Sequence, residues 1–456
     1  MRRGIFNKTT SLILMFVLLM SLALVGCSSK SSSEQSSGSK KDGKWAGQKI
    51  KVQLIGDFAM EDKTDPITGV KSKGLKGIKD EFEMQHPGAT VDFVIMPWEG
   101  YTEKTQAMIT SNEADVYQMP GVADFAPQGV LEPLQPWIDK DPDFKIDKFI
   151  DNQVDGWKAL GPNSKDLAIW GLPFLGDARY IAYDKKIFDD WGVEYLSEHP
   201  TMQEVADKAK KMTGKNPKTG QMNYGIWFRG DWSSAFTLVD LAEGQNGQWG
   251  TGFAWEDVKF NFDSPEMLKG LNFLLDMQKY APKGLVSNQG MEKWLSKNNN
   301  IGIMLNQGPG DLKKAYAQGL GDRIAIAPEF KNDEGKGGLF AGSPIVMAKS
   351  SKHKELAWEW LKFATSDTMQ KYVYEEVGAI PAVKSAAEWD SVKKQPLMLD
   401  VFKTMATPIT PRYPWGSSQP RFILTSEIEA ALTGKRTPEE ALKKAQKEST
   451  DWVKNR

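Results

Sequence analysis

Residues 49–55 read KIKVQLI, and residues 91–96 and 114–119 continue the pattern with VDFVIM and ADVYQM. Each segment is short and rich in aliphatic or aromatic residues, which predicts three buried strands. Residues 74–85 and 101–111, which lie between them, have apolar residues at helical spacing. This alternation predicts an α/β fold with a parallel, doubly wound sheet, in which ligands bind beyond the carboxyl ends of the strands.

The composition excludes several classes of protein. The chain has 456 residues with 58 basic and 59 acidic side chains, so no basic surplus indicates nucleic acid as a partner. Its 11% aromatic content excludes a disordered chain, and a single Cys excludes a disulfide scaffold. At about 100–200 residues per domain, the length predicts two or three lobes. Some of the 16 Trp residues are expected to line a groove, because a rigid ring gives contact area at little conformational cost.

The first 26 residues are predicted to be a lipoprotein signal peptide. Arg2, Arg3 and Lys8 precede a nearly unbroken apolar run over residues 9–25, as in secretory signals. The run ends in LVGC, which resembles the bacterial lipobox, and Cys27 is the only cysteine. Cys27 is therefore predicted to carry the lipid, with palmitate as an acyl chain; the alternative is an uncleaved anchor helix with an incidental Cys.

Residues 27–44 are predicted to be a flexible tether. They consist largely of Ser, Lys and Gly, and such a segment cannot bury enough apolar surface to fold. A lipid anchor followed by a tether predicts a folded module at the extracellular face of a bacterial cell membrane.

No motif indicates catalysis, a metal site or a cofactor. His86, His199 and His353 lack the spacing of zinc ligands, and the chain has no nucleophile elbow, phosphate loop or dinucleotide fingerprint. Once Cys27 is acylated, no thiol nucleophile is left. A glycosidase needs only two carboxylates facing a groove, so a surface glycoside hydrolase or lyase stays open as an alternative.

A series of short motifs resembles a known family. In order they are FEMQHPG at residues 82–88, PWEGY at 97–101, GLPF at 171–174 and AWEWLKF at 357–363. A lipobox followed by these motifs in this order is typical of one family, which this sequence resembles. The family is that of the extracellular sugar-binding lipoproteins of bacterial ABC importers, the family 1 solute-binding proteins that include maltodextrin-binding proteins. The resemblance extends from about Trp45 to the end of the chain.

The resemblance implies a two-lobed periplasmic-binding-protein fold of type II-like architecture, with a ligand cleft between lobes joined by a hinge. The N-terminal lobe would comprise residues 45–176 and 342–394, and the C-terminal lobe residues 177–341 and 395–456. A ligand that contacts both lobes favours the closed state.

The resemblance also implies the function. The protein would be a monomer that binds an oligosaccharide without catalysis and delivers it to the transmembrane subunits of an ABC permease. A non-sugar solute, such as a peptide, polyol or phosphodiester, is the alternative within the binding class.

A sugar site needs aromatic faces for the C–H side of the ring, together with carboxylates, amides and guanidinium groups for its hydroxyls. By family position, Asp177 at the entrance to the hinge is the first polar candidate, and Arg179 is the second. For Asp177 the alternative is a helix or loop cap, and for Trp98, Trp415 and residues 227–232 it is core packing. The full set is Asp177, Arg179, Arg229, Asp231, Trp232, Gln118, Asn306, Gln307, Trp98, Trp415 and Phe58.

Three further expectations concern aromatic residues. Relatives often have a stacking Trp where this chain has Gly310, and Trp415 is the candidate substitute. Phe58 opens a polar segment, residues 58–73, that is expected to form a wall of the cleft or a plain surface insertion. Trp358 and Trp360 lie at helical spacing beside apolar residues and are expected to be buried.

Substitution Asp177→Ala is expected to weaken ligand binding strongly, because a carboxylate that pairs with sugar hydroxyls would be lost. Titration calorimetry against the cognate solute measures this effect. An unchanged affinity would remove Asp177 from the site and would leave the family resemblance intact.

Overall fold

The structure is a computed structural model that describes residues 43–64, 71–151, 153–231, 233–252, 255–338, 340–405, 414–415 and 418–455. The predicted signal peptide, Cys27 and Trp232 lie outside these residues. None of the helices in the described ranges combines the length and the apolar character needed to cross a membrane.

The described strands follow in chain order. They are β1 (Lys49–Ile55), β2 (Lys63–Thr64), β3 (Lys71–Ser72), β4 (Thr90–Met96), β5 (Val116–Gln118), β6 (Lys158–Leu160), β7 (Leu167–Ile169), β8 (Leu172–Ala178), β9 (Tyr180–Asp184), β10 (Gly214–Lys215), β11 (Met222–Trp227), β12 (Gly250–Thr251), β13 (Lys259–Phe260), β14 (Ile301–Gln307), β15 (Ile324–Pro328), β16 (Phe340–Met347) and β17 (Ile380–Pro381).

The described α-helices follow in the same way. They are α1 (Lys76–Gln85), α2 (Tyr101–Thr110), α3 (Gln135–Lys140), α4 (Lys185–Trp191), α5 (Met202–Lys211), α6 (Ser234–Glu243), α7 (Pro265–Met277), α8 (Pro309–Ala317), α9 (Lys354–Ala364), α10 (Asp367–Tyr372), α11 (Asp390–Lys393), α12 (Pro396–Met405), α13 (Gln419–Leu432) and α14 (Pro438–Lys454).

The first sheet has six strands in the order β17-β8-β16-β5-β1-β4. β1 pairs in parallel with β4 and β5, as the strand–helix alternation predicts. β16 instead runs antiparallel to both β5 and β8, so the sheet is mixed and the prediction of a parallel sheet was wrong beyond β5. The reason is that β16 arrives from a distant part of the chain rather than through a crossover helix.

Both faces of this sheet are covered. Val52 and Leu54 belong to a core that also contains Phe82 of α1 and Trp360 of α9. Ile55 lies on the other face with residues of α2. Trp358 and Trp360 are only 4% and 0% exposed, which confirms that they are core residues. We call this sheet and its helices the first lobe.

The second sheet has five strands in the order β10-β11-β14-β9-β15. Helix α5 packs against β11 and β14, α6 packs against β14 and α7, and α13 and α14 pack against each other and against α7. We call this sheet and these helices the second lobe.

The chain passes between the two sheets at Arg179, the single residue between β8 and β9, and returns between Pro328 and Phe340. The two passages are neighbours, because Ala178 is opposite Phe340 in the first sheet and Tyr180 is opposite Pro328 in the second. The lobe boundaries expected from the sequence, at residues 176, 341 and 394, stay a prediction.

Helix α14 begins with a capping box. The Thr437 hydroxyl accepts a hydrogen bond from the Glu440 backbone N–H, and the Glu440 carboxylate accepts one from the Thr437 N–H. Gly434, with φ of 71°, follows the end of α13. These local signals were all readable in the sequence.

Substitution Thr437→Ala should lower the free energy of unfolding by about 1 kcal/mol, because it removes the acceptor that caps α14. Urea unfolding monitored by circular dichroism measures the change. The matched control is Thr110→Ala, since Thr110 caps no helix start: its hydroxyl donates to the Gln106 carbonyl and accepts from Gln106 Nε2. An equal loss in both variants would contradict a specific capping role.

Candidate functional site

The carboxyl ends of β1 and β4 border a cavity of about 180 Å³ at the edge of the first sheet. Sequence reasoning missed Asp57, although its place directly after a predicted strand could have indicated it. The lining residues are Ile55, Gly56, Asp57, Trp98, Leu175, Val377, Gly378 and Ala379.

Trp98 presents its ring at this cavity. The side chain is 46% exposed, and its ring stands edge-on to Tyr101 with centroids 5.3 Å apart. The indole Nε1 lies above Gly56, where a Cβ atom would come within 2.8 Å of it. Gly56 also has φ of 112°, which disfavours any other residue. The ring is therefore exposed and yet supported from two sides.

Gln118 and Phe58 are buried, unlike Trp98. Gln118 is fully buried, and its Oε1 accepts a hydrogen bond of 2.8 Å from the Ile55 backbone N–H, which fixes the end of β1. Phe58 is buried and stacks between Phe174 and Tyr372, with centroid distances of 6.2 and 6.5 Å. The structure thus gives Phe58 a packing role, not that of an exposed wall of the cleft.

Arg179 and Asp177 occupy the passage between the sheets. The Arg179 guanidinium lies against Gly308, where any Cβ atom would collide with Nη1. Asp177 pairs through its backbone with Ala341, and its side chain is outside the part of the chain that is described. Its proposed role as the first polar ligand contact stays a prediction.

Asn306 and Gln307 are the last residues of β14. Both are buried, and Asn306 has φ of 53°. Its backbone N–H donates to Glu329 at 2.8 Å, and Gln307 Oε1 accepts from Trp294 Nε1 at 2.7 Å. Through these hydrogen bonds, Asn306 and Gln307 hold the end of β14 in place.

Glu329 and Asp240 form a buried acidic pair beside Asn306. Both side chains are almost fully buried, and Asn306 Nδ2 donates to Asp240 at 3.5 Å. Burial, followed by repulsion from Asp240, raises the pKa of Glu329 to about 8. The positive charges of Arg179 and Lys331 oppose this rise in pKa, so both cations lie close enough to the acidic pair to act on it.

The strand end of β11 leads into a polar network. Arg229 Nη1 and Asn288 Nδ2 both donate to Asp231 Oδ2, at 3.1 and 2.8 Å. Asp231 Oδ1 accepts from the Ser233 backbone N–H at 3.1 Å. Arg229 and Asp231 are thus brought together, as expected of neighbours in a polar site, and both remain partly exposed.

Arg421 and Phe422, at the start of α13, were missed by sequence reasoning. The Arg421 guanidinium lies 4.5 Å from the centroid of the Phe422 ring, which is 46% exposed. Burial lowers the pKa of Arg421, while Tyr101 of the first lobe and Asp231 of the second oppose the shift. The guanidinium therefore lies near polar groups of both lobes. A cationic residue next to an aromatic residue was the available sequence signal.

The surroundings of Trp415 and of Gly310 are both crowded. Trp415 is 0% exposed, and its ring packs against Phe236, Trp249 and Phe262 with centroids 5.6–5.8 Å apart. This is the packing alternative rather than an open platform. At Gly310, a Cβ atom would lie 3.3 Å from the Gly378 carbonyl oxygen, so there is little room for a large side chain.

Within the described ranges, no group of three or more His, Cys, Asp or Glu residues is arranged to hold a metal ion. The side chains at the strand ends carry aromatic rings, carboxylates, amides and guanidinium groups. Such a set can bind a neutral polar solute without a cofactor.

The chain matches a known family over most of its length. The model of the bacterial extracellular solute-binding protein family matches residues 68–371. The galactooligosaccharide-binding protein of Bacillus subtilis (strain 168) is 24% identical over 463 residues, which cover 97% of each chain.

Solved structures share the fold. Maltose-bound MalE3 of T. maritima superposes with a TM-score of 0.67 at 22% identity, covering 88% of this chain and 98% of the other. The sugar-binding protein MalE of Xanthomonas citri gives 0.71 at 18% identity, covering 90% and 98%. Both likenesses concern the two-lobed architecture.

The raised pKa of Glu329 generates a prediction about stability. Its pKa is higher in the folded state than in the unfolded chain, so the folded protein retains the proton over a range in which the unfolded chain has lost it. The free energy of unfolding should therefore fall between about pH 5 and about pH 8.

Substitution Glu329→Gln should flatten this fall, because the amide cannot ionise. Urea unfolding at a series of pH values measures the slope, and exposed Glu388→Gln is the matched control. Parallel slopes in Glu329→Gln and in the unsubstituted protein would contradict the raised pKa.

Proposed function

The chain belongs to the bacterial extracellular solute-binding proteins, and we propose that it binds a carbohydrate, an oligosaccharide rather than a monosaccharide, in the cleft between its lobes. The ligand would contact both lobes and hold them together, since a ligand favours the state for which it has the higher affinity.

The observation that carries this proposal is the exposed, supported ring of Trp98. Its 46% exposure is unusual for a Trp held by Tyr101 and Gly56. A flat ring fixed in advance can stack on the C–H face of a sugar without losing rotamer entropy on binding. Asp57 lines the same cavity and offers a carboxylate to sugar hydroxyls.

The second lobe supplies complementary groups. Arg421 and the exposed Phe422 pair a cation with a ring, and the partly exposed Arg229 and Asp231 provide further donors and acceptors. We propose that Asp177 and Arg179, at the passage between the lobes, add polar contacts at the base of the cleft. Aromatic and polar groups are then interleaved, as an extended saccharide requires.

Two of the similar proteins bind saccharides. The Bacillus subtilis relative is a galactooligosaccharide-binding protein, and the T. maritima structure contains maltose. Neither protein identifies the sugar or linkage for this chain, because selectivity is set by individual hydroxyl contacts.

In the cell, we propose that the protein works as a monomer at the extracellular face of the membrane, anchored through a lipid on Cys27. It would release its ligand, unchanged, to the transmembrane subunits of an ABC permease. The family to which it belongs consists of binding proteins, in keeping with a role without bond cleavage.

The test is thermal unfolding against a panel of oligosaccharides, monosaccharides, peptides and polyols. A ligand at 100 times its dissociation constant should stabilise the fold by about 2.7 kcal/mol. Substitution Trp98→Ala should weaken binding of the active saccharide about tenfold, whereas Tyr195→Ala, which removes a ring 43% exposed in the second lobe, should not.

The outcomes separate the alternatives. A saccharide that stabilises the protein and is recovered intact supports the proposal. Stabilisation by a peptide or polyol alone would show that the solute class is wrong, and recovery of a cleaved sugar would show an enzyme.

A further inference from the structure

The two lobes are joined at a second place, away from the passages of the main chain. The carboxylate of Asp124 accepts two hydrogen bonds from distant parts of the sequence. Trp255 Nε1 donates to Oδ1 at 2.8 Å, and the Ser418 hydroxyl donates to Oδ2 at 2.7 Å. Each carboxylate oxygen thus has its own donor.

Asp124 belongs to the first lobe. It follows β5, and its neighbours Val122, Phe125 and Ala126 are at most 3% exposed. These three side chains pack in the core cluster that contains Ile55 and residues of α2. The carboxylate is therefore carried by a segment that is fixed to the first sheet.

Trp255 belongs to the second lobe. It lies between β12 and β13, and its ring stands edge-on to Trp452 of α14 with centroids 4.9 Å apart at 70°. The indole is 6% exposed, and the contact with Trp452 of the same lobe helps to orient its Nε1 group. A donor oriented in this way loses little freedom when the bond forms.

Ser418 also belongs to the second lobe, as the N-cap residue of α13. A serine at this position ordinarily uses its side-chain oxygen to accept a bond from its own helix. Here the side chain makes no capping bond, and the hydroxyl donates to Asp124 instead. Pro420, the second residue of the helix, has no N–H to donate, and the Arg421 N–H donates to the Ser418 carbonyl, so the hydroxyl serves the contact between lobes.

We propose that Asp124, with Trp255 and Ser418, forms a latch that favours the closed arrangement of the lobes and so sets ligand affinity. The two bonds exist only while the lobes are together, and they contribute to closure whichever solute fills the cleft. Apparent affinity scales with the population of the binding-competent state, so a residue outside the ligand contacts can control it. The effect on affinity rests on the proposed function; the effect on closure does not.

The test compares Asp124→Ala with Asp139→Ala, which removes an exposed carboxylate on α3 of the first lobe. All proteins are full-length and carry Cys27→Ser, so that no acyl chain causes association. Small-angle X-ray scattering without ligand gives the radius of gyration, and calorimetry gives the affinity for a galactooligosaccharide and a maltooligosaccharide.

We expect a larger radius of gyration for Asp124→Ala and about tenfold weaker saccharide binding, arising from faster dissociation. Asp139→Ala should match the unsubstituted protein. If Asp124→Ala unfolds, Trp255→Phe keeps the ring against Trp452 and removes only one donor, and it should show the same effects at smaller size.

The latch and the proposed function can fail separately. An unchanged radius of gyration in Asp124→Ala and Trp255→Phe would overturn the latch, even if saccharides bind. A higher affinity in Asp124→Ala would overturn it as well, because the contact would then oppose binding. If no saccharide binds any variant but the radius increases, the latch stands and the ligand class is wrong.

Discussion

The lobes depend on one extended segment, in which β8 continues into β9 with Arg179 alone between them. Since extended backbone has a nearly fixed rise per residue, the end of β8 and the start of β9 lie close together. The return passage, from Pro328 to Phe340, runs beside it, so two of the connections between the lobes are neighbours. Such a connection permits rotation more readily than separation. The strand ends consequently face a shared space, in which Arg179 and Gly308 meet.

Many individual strands and helices could be predicted from the sequence, because their signals are local. Alternation in β1, the helical spacing in α1 and the capping box of α14 each involve residues within one turn or strand. The antiparallel insertion of β16 could not be predicted in this way. Its partners β5 and β8 are more than 160 residues away in the chain, and no local pattern records such a pairing.

The site was less predictable than the fold, because exposure depends on the surroundings of a side chain. Trp98 and Trp415 are both flanked by Pro and Gly within two residues, yet one is 46% exposed and the other 0%. The difference in exposure arises from the neighbours. Trp98 contacts Gly56 and Tyr101, whereas Trp415 is enclosed by three aromatic rings. Asn306 and Gln307 were expected to contact ligand, but in the structure they are buried at the end of β14, with bonds to Glu329 and Trp294.

The carboxylate of Asp124 has a further consequence for the energetics of motion. When the lobes separate, its two oxygens exchange the Trp255 and Ser418 donors for water. Each hydrogen bond to a charged group then contributes only about 1.5–3 kcal/mol net, because water restores much of what the protein donor gave. The contact would therefore resist opening without preventing it. Water would act as the competing partner that allows the lobes to part once the solute has left.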